Sequence, residues 1–368
     1  MTSYAVPSPL LSAAGAVVAE GADAGVAAHY GDPMREQRLL TEGLAAVDLS
    51  HRGVVTITGP DRLSWLHSMT TQALTGLAPG IGTESLVLSP KGHIEHALHV
   101  VDDGATTWLT VEPGTSEALV AWLERMRFML RVEVADVTDR YAVVGEPFAE
   151  SAAAGEPIAW VDPWPGVVDP VPVGRAGRIA AYGPVEGHPA QGRRWREAIV
   201  PREDLVGYVG DRPLAGTWAA EALRIAAWRP RLGFETDHRT LVQEVDWLRS
   251  AVHLAKGCYR GQEAVARVHN LGNPPRRLVF LHLDGSGHVL PERGAEVRLA
   301  GGTDAGAPGS GTANRPVGFV TSVARHYEIG PIALALVKRS LPVEAALVVA
   351  DGVGGPGIAA TQEVIVAP

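Results

Sequence analysis

The densest run of chemically capable side chains is Lys256-Gly257-Cys258-Tyr259-Arg260-Gly261-Gln262-Glu263. Two glycines among functional side chains predict a loop whose backbone bends tightly or approaches a ligand. Lys256 and Arg260 stand two residues to either side of Cys258. On an extended segment all three share a face, and the cations favour the thiolate. The chemistry this offers is a redox-active or nucleophilic thiol, and the opposing reading is a small buried hydrophobe. Gln262 and Glu263 pair an amide with a carboxylate, which suits a heterocycle carrying adjacent donors, such as a pterin or purine edge. The same residues equally suit the first turn of a helix with Glu at its positive end. Tyr259 can stack on a planar ligand or pack into the core.

Other constellations carry less. His93, His96 and His99 alternate faces on a strand, so three metal ligands do not converge, and no metal site is expected. Glu235, Asp237 and His238 read as a loop rather than an acid/base dyad. No nucleophile elbow, Walker loop or dinucleotide fingerprint occurs in a strand-turn-helix context. From Arg224 to Arg277 the chain carries nine Arg and one Lys against five acids, a local +5 in a protein of net charge −9. That segment suits a polyanionic small ligand or salt-bridged surface arginines, whereas the acidic whole argues against a nucleic-acid-binding protein.

The elements that position these residues read as mixed α and β. Gly53 to Thr58 is a β-branched strand, and Pro60-Asp61 opens a helix with Leu63, Leu66, Met69 and Leu74 on one side. Glu84 to Ser89 and Gly92 to Val101 form a hairpin through Ser-Pro-Lys-Gly. A strand follows over Thr107 to Glu112, a helix from Thr115 or Ser116 to about Leu130, and strands over Arg131 to Val137 and Tyr141 to Val144. Glu146 to Pro189 reads as short strands and turns. A helix over Thr217 to Trp228 stops at Pro230. Beyond Arg277, short strands with Gly/Pro turns are the grammar of a small barrel or sandwich, interrupted by a low-complexity loop over Gly301 to Asn314.

With 368 residues, 46% hydrophobic and 20% charged, the chain can build several cores. The expected domains are an N-terminal arm over 1–40, a mixed α+β lobe over 41–145, a second α+β lobe over 146–275 carrying the Cys258 loop, and a C-terminal β-barrel over 276–368. Pro9 to Ala28 is apolar but contains Glu20 and Asp23, and no Lys or Arg precedes Arg35. It therefore fits neither a secretory signal nor a membrane span and is expected to be a loosely packed arm. One cysteine permits no intramolecular disulfide and suits a reducing cytoplasm.

The 256–263 octet resembles the signature of the YgfZ family of folate-binding, iron–sulfur-cluster-associated proteins. Asp48-Leu49-Ser50-His51, Gly59-Pro60-Asp61, Glu221-Ala222-Leu223-Arg224-Ile225 before Gly233, Arg276-Arg277-Leu278-Val279 and Val317-Gly318-Phe319-Val320-Thr321-Ser322 are similar to the wider superfamily. That superfamily includes the aminomethyltransferase, or T-protein, of the glycine cleavage system. The resemblance spans about residues 40–350. It implies a three-lobed ring around a folate channel, the last lobe being a β-barrel, with tetrahydrofolate or a derivative as cofactor.

The resemblance also implies iron–sulfur client proteins, among them tRNA-modifying enzymes, and no membrane partner. Cys258 is its functional residue with Lys256 beside it, and Tyr259, Arg260, Gly261, Gln262 and Glu263 belong to the folate loop. The T-protein's acidic pair becomes His96 and Ala97 here, with Glu95 one position away. A Glu common after Leu-Arg-Ile becomes Ala226, leaving Trp228 and Arg229 as substitutes at the pterin. The function so implied is an accessory factor in iron–sulfur cluster assembly or repair, the alternative being a tetrahydrofolate-dependent aminomethyltransferase or demethylase with Glu95 or Glu263 as base.

Overall fold

A computed structural model of the chain describes residues 7–148, 156–166, 186–301, 315–352 and 357–368. Its elements run β1 (Val17–Val18), β2 (Ala27–His29), α1 (Pro33–Thr41), β3 (Ala46–Asp48), β4 (Gly53–Thr58), α2 (Arg62–Met69), β5 (Gly82–Leu88), β6 (Ile94–Asp102), β7 (Thr106–Val111), α3 (Ser116–Met126), β8 (Glu133–Asp136) and β9 (Tyr141–Glu146). After these come β10 (Ala159–Val161), β11 (Arg196–Pro201), α4 (Leu205–Val209), β12 (Leu214–Ala215), α5 (Thr217–Ala226), α6 (Leu248–Ala251) and α7 (Gln262–Leu271). The barrel strands are β13 (Arg276–Leu283), β14 (Glu296–Leu299), β15 (Gly318–His326), β16 (Gly330–Lys338), β17 (Leu347–Val349) and β18 (Ile358–Val364).

Three β-structures organise the chain. The first sheet is ordered β5-β6-β7-β4-β8, and every neighbouring pair in it is antiparallel. One face packs α2 and α3 onto Val55, Ile57, Leu98 and Val100, through Trp65, Leu66, Leu119 and Leu123. The second sheet is ordered β10-β11-β9-β3-β12, with β12 parallel to β3. The third is a closed barrel, β13-β16-β15-β14-β17-β18. Along β13 the period-two pleat divides the side chains. Val279, Leu281 and Leu283 fill the barrel. Leu278 and Phe280 face outward onto Leu86, Ala97, Trp247 and Tyr259.

This architecture matches the expected mixed α and β composition with a terminal barrel. The domain boundary does not follow the sequence reading. The second sheet takes β3 and β9 from residues assigned to the first lobe, so 145 falls inside a strand and not between lobes. The helix expected to reach Leu130 ends at Met126, and the one expected to reach Trp228 ends at Ala226. Most of the low-complexity loop, residues 302–314, and much of 146–189 lie outside the described residues.

The loosely packed arm expected over Pro9 to Ala28 is instead packed against the protein, with Leu10 and Ala19 buried, and α1 after it is fastened down as well. Val26, Ala27 and Ala28 are buried. On α1, Glu36 accepts hydrogen bonds from the backbone N–H groups of Tyr30 (2.7 Å) and Gly216 (2.8 Å). Gln37 donates to the Arg325 carbonyl at 3.1 Å and accepts from the Tyr327 N–H at 3.0 Å, fastening the segment to the barrel. Composition alone missed this because an Ala/Gly/Val-rich stretch packs closely wherever small side chains let backbone approach backbone.

The hairpin turn between β5 and β6 meets the start of α7 through glycine. Gly261 has φ +84°, and a Cβ there would lie 2.6 Å from the Ser89 carbonyl oxygen. Gly92 has φ +78°, and a Cβ there would lie 2.7 Å from the Ala264 Cβ. Replacing Gly261 with Ala therefore combines left-handed strain with a steric clash. The expected loss of unfolding free energy is about 2 kcal/mol, read by urea denaturation.

Candidate functional site

The Cys258 turn and a buried ionic cleft are the two places where functional side chains gather. Cys258 is exposed, as the thiol reading requires. Its flanking cations are engaged elsewhere. The Lys256 ammonium donates to the carbonyls of His67 and Thr70 and lies 4.9 Å over the Tyr259 ring. Arg260 pairs with Glu95 at 2.6 Å and lies over Trp122. Tyr259 is buried in the cluster that contains Ala97, Trp247 and Phe280, and burial pushes its phenol up to about 12. Gln262 and Glu263 form the first turn of α7, the helical one of the two readings open to them. Gln262 is half-buried, and Glu263 is exposed.

Residues 256–263 do not line the cleft; of the residues singled out from sequence, Ala97, His99 and Arg229 do. Arg229 Nη2 donates to Glu84 at 2.8 Å and lies 3.3 Å from Asp162 Oδ1. Glu84 also accepts from Trp247 Nε1 (3.0 Å) and Ser250 Oγ (2.6 Å). Trp228, the neighbour of Arg229, is instead buried against His188 and Phe280. Burial favours the neutral guanidine, but Asp162 and Glu84 outweigh it and hold the Arg229 cation.

A second guanidinium, Arg52, bridges Glu112 (2.8 Å) and Glu197 (2.7 Å). His99 Nδ1 lies 2.9 Å from Glu197 Oε2, and its ring stacks on Trp160 at 3.6 Å and 5°. Burial by itself raises the Glu197 carboxyl; Arg52, His99 and Thr110 reverse that and hold it well below the carboxylate range. Arg231 joins Glu112 (2.9 Å), Glu221 (3.2 Å) and Asp23 (2.6 Å), and Asp23 lies 3.0 Å from His51 Nε2. The +5 segment thus turns several of its arginines onto carboxylates from other parts of the chain, the salt-bridged one of the two readings open to it, with the pairs largely buried and not at the surface.

The cleft leaves about 80 Å³ of free space and shares Arg193, Trp195 and Ala220 with an adjoining recess of about 570 Å³. The recess has the size of an ordinary small-molecule site. Three nitrogens of lining side chains lack hydrogen-bond partners among the described residues: Arg52 Nε, Arg229 Nη1 and His51 Nδ1. On β6, Ala97 and His99 line the cleft, while Glu95, with Glu263 one of the two bases named for the transferase alternative, is exposed and paired with Arg260. His96 is half-buried outside the cleft lining, and burial pulls its imidazole down.

Sequence reading missed Asp23, Glu84, Glu112, Asp162 and Glu197 as site residues because their partners are distant in sequence. His51 was quoted only as part of a flanking segment.

Burial lowers the Lys256 ammonium to about 8, against about 10.4 in the unfolded chain. Between those values the unfolded state binds more protons, so this residue makes stability rise with pH. The difference in unfolding free energy between wild type and K256M should therefore shift in favour of wild type as pH rises from 8 to 10. Denaturant titrations at each pH check this.

Residues 9–145 match the family model described as the GCVT N-terminal domain. A chloroplastic transferase-like protein of Arabidopsis thaliana is 27% identical over 283 residues, covering 73% of this chain and 64% of the relative. The chain thus spans less than two thirds of that relative's length. An aminomethyltransferase of Corynebacterium jeikeium is 25% identical over 341 residues, covering 84% of this chain and 83% of the relative. Among solved structures, the glycine cleavage system aminomethyltransferase T from Bartonella henselae superposes with a TM-score of 0.70 at 17% identity, covering 98% of this chain and 95% of that one. At that identity the likeness establishes the fold. In sequence the chain is thus similar to the T-protein superfamily, through its GCVT N-terminal domain match and its aminomethyltransferase relatives.

Proposed function

We propose that the chain binds a reduced folate, with the pteridine end at the ionic cleft and the tail in the adjoining recess, and acts as a tetrahydrofolate-dependent one-carbon transferase of the aminomethyltransferase type. The observation that carries this reading is the buried Arg229–Glu84–Asp162 assembly. It is rigidly held and still leaves Arg229 Nη1 without a partner among the described residues. Together with Arg52 Nε and His51 Nδ1, that nitrogen can meet the acceptors and donors of a polar heterocycle. Trp160, Trp195 and Trp247 supply flat apolar walls. These residues fit a pteridine ring.

A bound tetrahydrofolate supplies the nitrogen that carries the one-carbon unit. The chain orients the ring through Arg229, whose direction is fixed by Glu84 and Asp162, and the surrounding tryptophans exclude water. The reading implies the two sheets and the barrel arranged as a ring around this channel. The aminomethyltransferase names of the relatives favour transfer chemistry over the accessory role.

A second reading rests on Cys258. An exposed thiol on a turn outside the cleft can form a mixed disulfide with a client protein without disturbing the folate site. That reading keeps the cytoplasmic support of iron–sulfur enzymes, tRNA-modifying ones included, as its outcome.

Tryptophan quenching by tetrahydrofolate, titrated anaerobically, tests the first reading. Arg229→Gln should weaken binding about tenfold or more, or about 1.4 kcal/mol, with the fold checked by circular dichroism. Cys258→Ala should leave affinity unchanged. Absence of binding by the wild type at about 1 mM, a free energy near −4 kcal/mol, would overturn the folate site. Turnover of an aminomethyl donor by Cys258→Ala favours the transferase, and loss of client-enzyme activity in cells carrying only that variant favours the thiol.

A further inference from the structure

Within the cleft, every lining carboxylate is already satisfied by cationic or hydrogen-bonding neighbours. Glu84 is held by Arg229, Trp247 and Ser250. Glu112 is held by Arg52 and Arg231, and Asp162 by Arg193 and Arg229. Glu197 serves Arg52, His99 and Thr110, and Glu221 serves Arg224 and Arg231. A carboxylate so surrounded is a poor proton acceptor, because protonation would break charge-assisted hydrogen bonds and leave arginines uncompensated.

His51 is different. It is 5% exposed and lines the cleft. Its Nε2 lies 3.0 Å from Asp23 Oδ1, while its Nδ1 is buried without a hydrogen-bond partner among the described residues. Asp23 is in turn fixed by Arg231, through Nη2 on Oδ1 at 2.6 Å and Nη1 on Oδ2 at 3.2 Å. Burial raises the Asp23 carboxyl, yet His51 and Arg231 more than offset this and keep it ionised. An ionised Asp23 is acceptor-only, so Nε2 carries a hydrogen, and in the neutral ring the lone pair is then on Nδ1. The other charges around the pair are Arg52 beside it in the chain, Glu112 beyond β7 and Glu221 on α5, and the two carboxylates share Arg231 with Asp23.

We propose that His51, backed by Asp23, is the proton acceptor of the cleft, and that its partner is a ligand nitrogen presented as an N–H or ammonium donor. This rests on the folate reading of the same cleft and adds to it the group that moves the proton. In the step, the ligand N–H bond breaks with its electron pair left on nitrogen, and the proton adds to the Nδ1 lone pair. The imidazolium so formed is countered by Asp23, which remains a carboxylate. The reverse transfer delivers the proton to a departing amine. The N-terminal segment thereby contributes to the chemistry, since Asp23 lies between β1 and β2.

Two measurements on the full chain test this. Imidazole nitrogen NMR, with His51 assigned by its loss in H51N, should show the Nε2–H tautomer in wild type and a shift toward the other tautomer in D23N. Calorimetry with tetrahydrofolate in buffers of different ionisation heat should show proton exchange on binding in wild type. That linkage should fall by at least about half in H51N, each variant being compared at tetrahydrofolate concentrations that saturate it. An Nδ1–H tautomer in wild type, or unchanged linkage in H51N with binding intact, overturns the proton acceptor alone. Failure of the wild type to bind overturns the folate reading instead, and the ligand proposed for His51 falls with it.

Discussion

The arrangement depends on burying arginines. A guanidinium removed from water must be matched by carboxylates and hydrogen-bond acceptors, and removing one partner of such a pair typically costs about 3–5 kcal/mol. Here the partners come from far apart: Asp23 from the N-terminal segment, Glu84 from β5, Glu112 beyond β7, Asp162 beyond β10, Glu197 from β11 and Glu221 from α5. A displacement of either sheet would strand at least one charge. The ion pairs therefore fix where the sheets and the N-terminal segment meet, while the apolar clusters supply the bulk of the driving force.

The Cys258 turn obeys a different constraint. Its position is set by backbone contact, Gly261 against the Ser89 carbonyl and Gly92 against Ala264, and by Lys256 capping the carbonyls of His67 and Thr70. Tyr259 anchors it in the same cluster as Ala97 and Trp247, whose side chains line the cleft. The exposed sulfur and the cleft are thus joined through one apolar core without a shared cavity. Most side chains of this charge-dense motif hold the turn in place, and those left to solvent are the Cys258 thiol and Glu263.

What was legible in the sequence was local. Gly53 to Thr58 announced β4 through β-branching, Ser89 to Gly92 announced a turn, and the short strands with Gly/Pro turns after Arg277 announced a small barrel or sandwich. Each signal resides within a few residues. The cleft was not legible because Arg231 and Asp23 are 208 residues apart, and Arg229 and Glu84 are 145 apart. Charge counted along a segment records neither partner. The positive stretch from 224 to 277 therefore leaves a polyanionic ligand and salt-bridged arginines equally open, and only the fold shows its buried arginines facing carboxylates. The packing of the N-terminal segment escapes composition for a related reason, since Asp23, an acid within an apolar stretch, ties the segment to the cleft through Arg231 and His51.

The cleft's lining carries six carboxylates and five arginines, so little net charge remains to attract a ligand from a distance. Long-range steering needs an unbalanced potential, and a compensated network provides mainly short-range dipoles of fixed direction. Recognition must then follow from the orientation of the few polar atoms that the network leaves unpaired. Arg52 Nε and Arg229 Nη1 are donors, and on the proposal above His51 Nδ1 is the acceptor. A site built this way rejects a ligand by leaving one of those atoms unmatched, at about 1–3 kcal/mol for each. Selectivity in such a cleft comes from the pattern of donors and acceptors around a ring and not from the charge the ring carries.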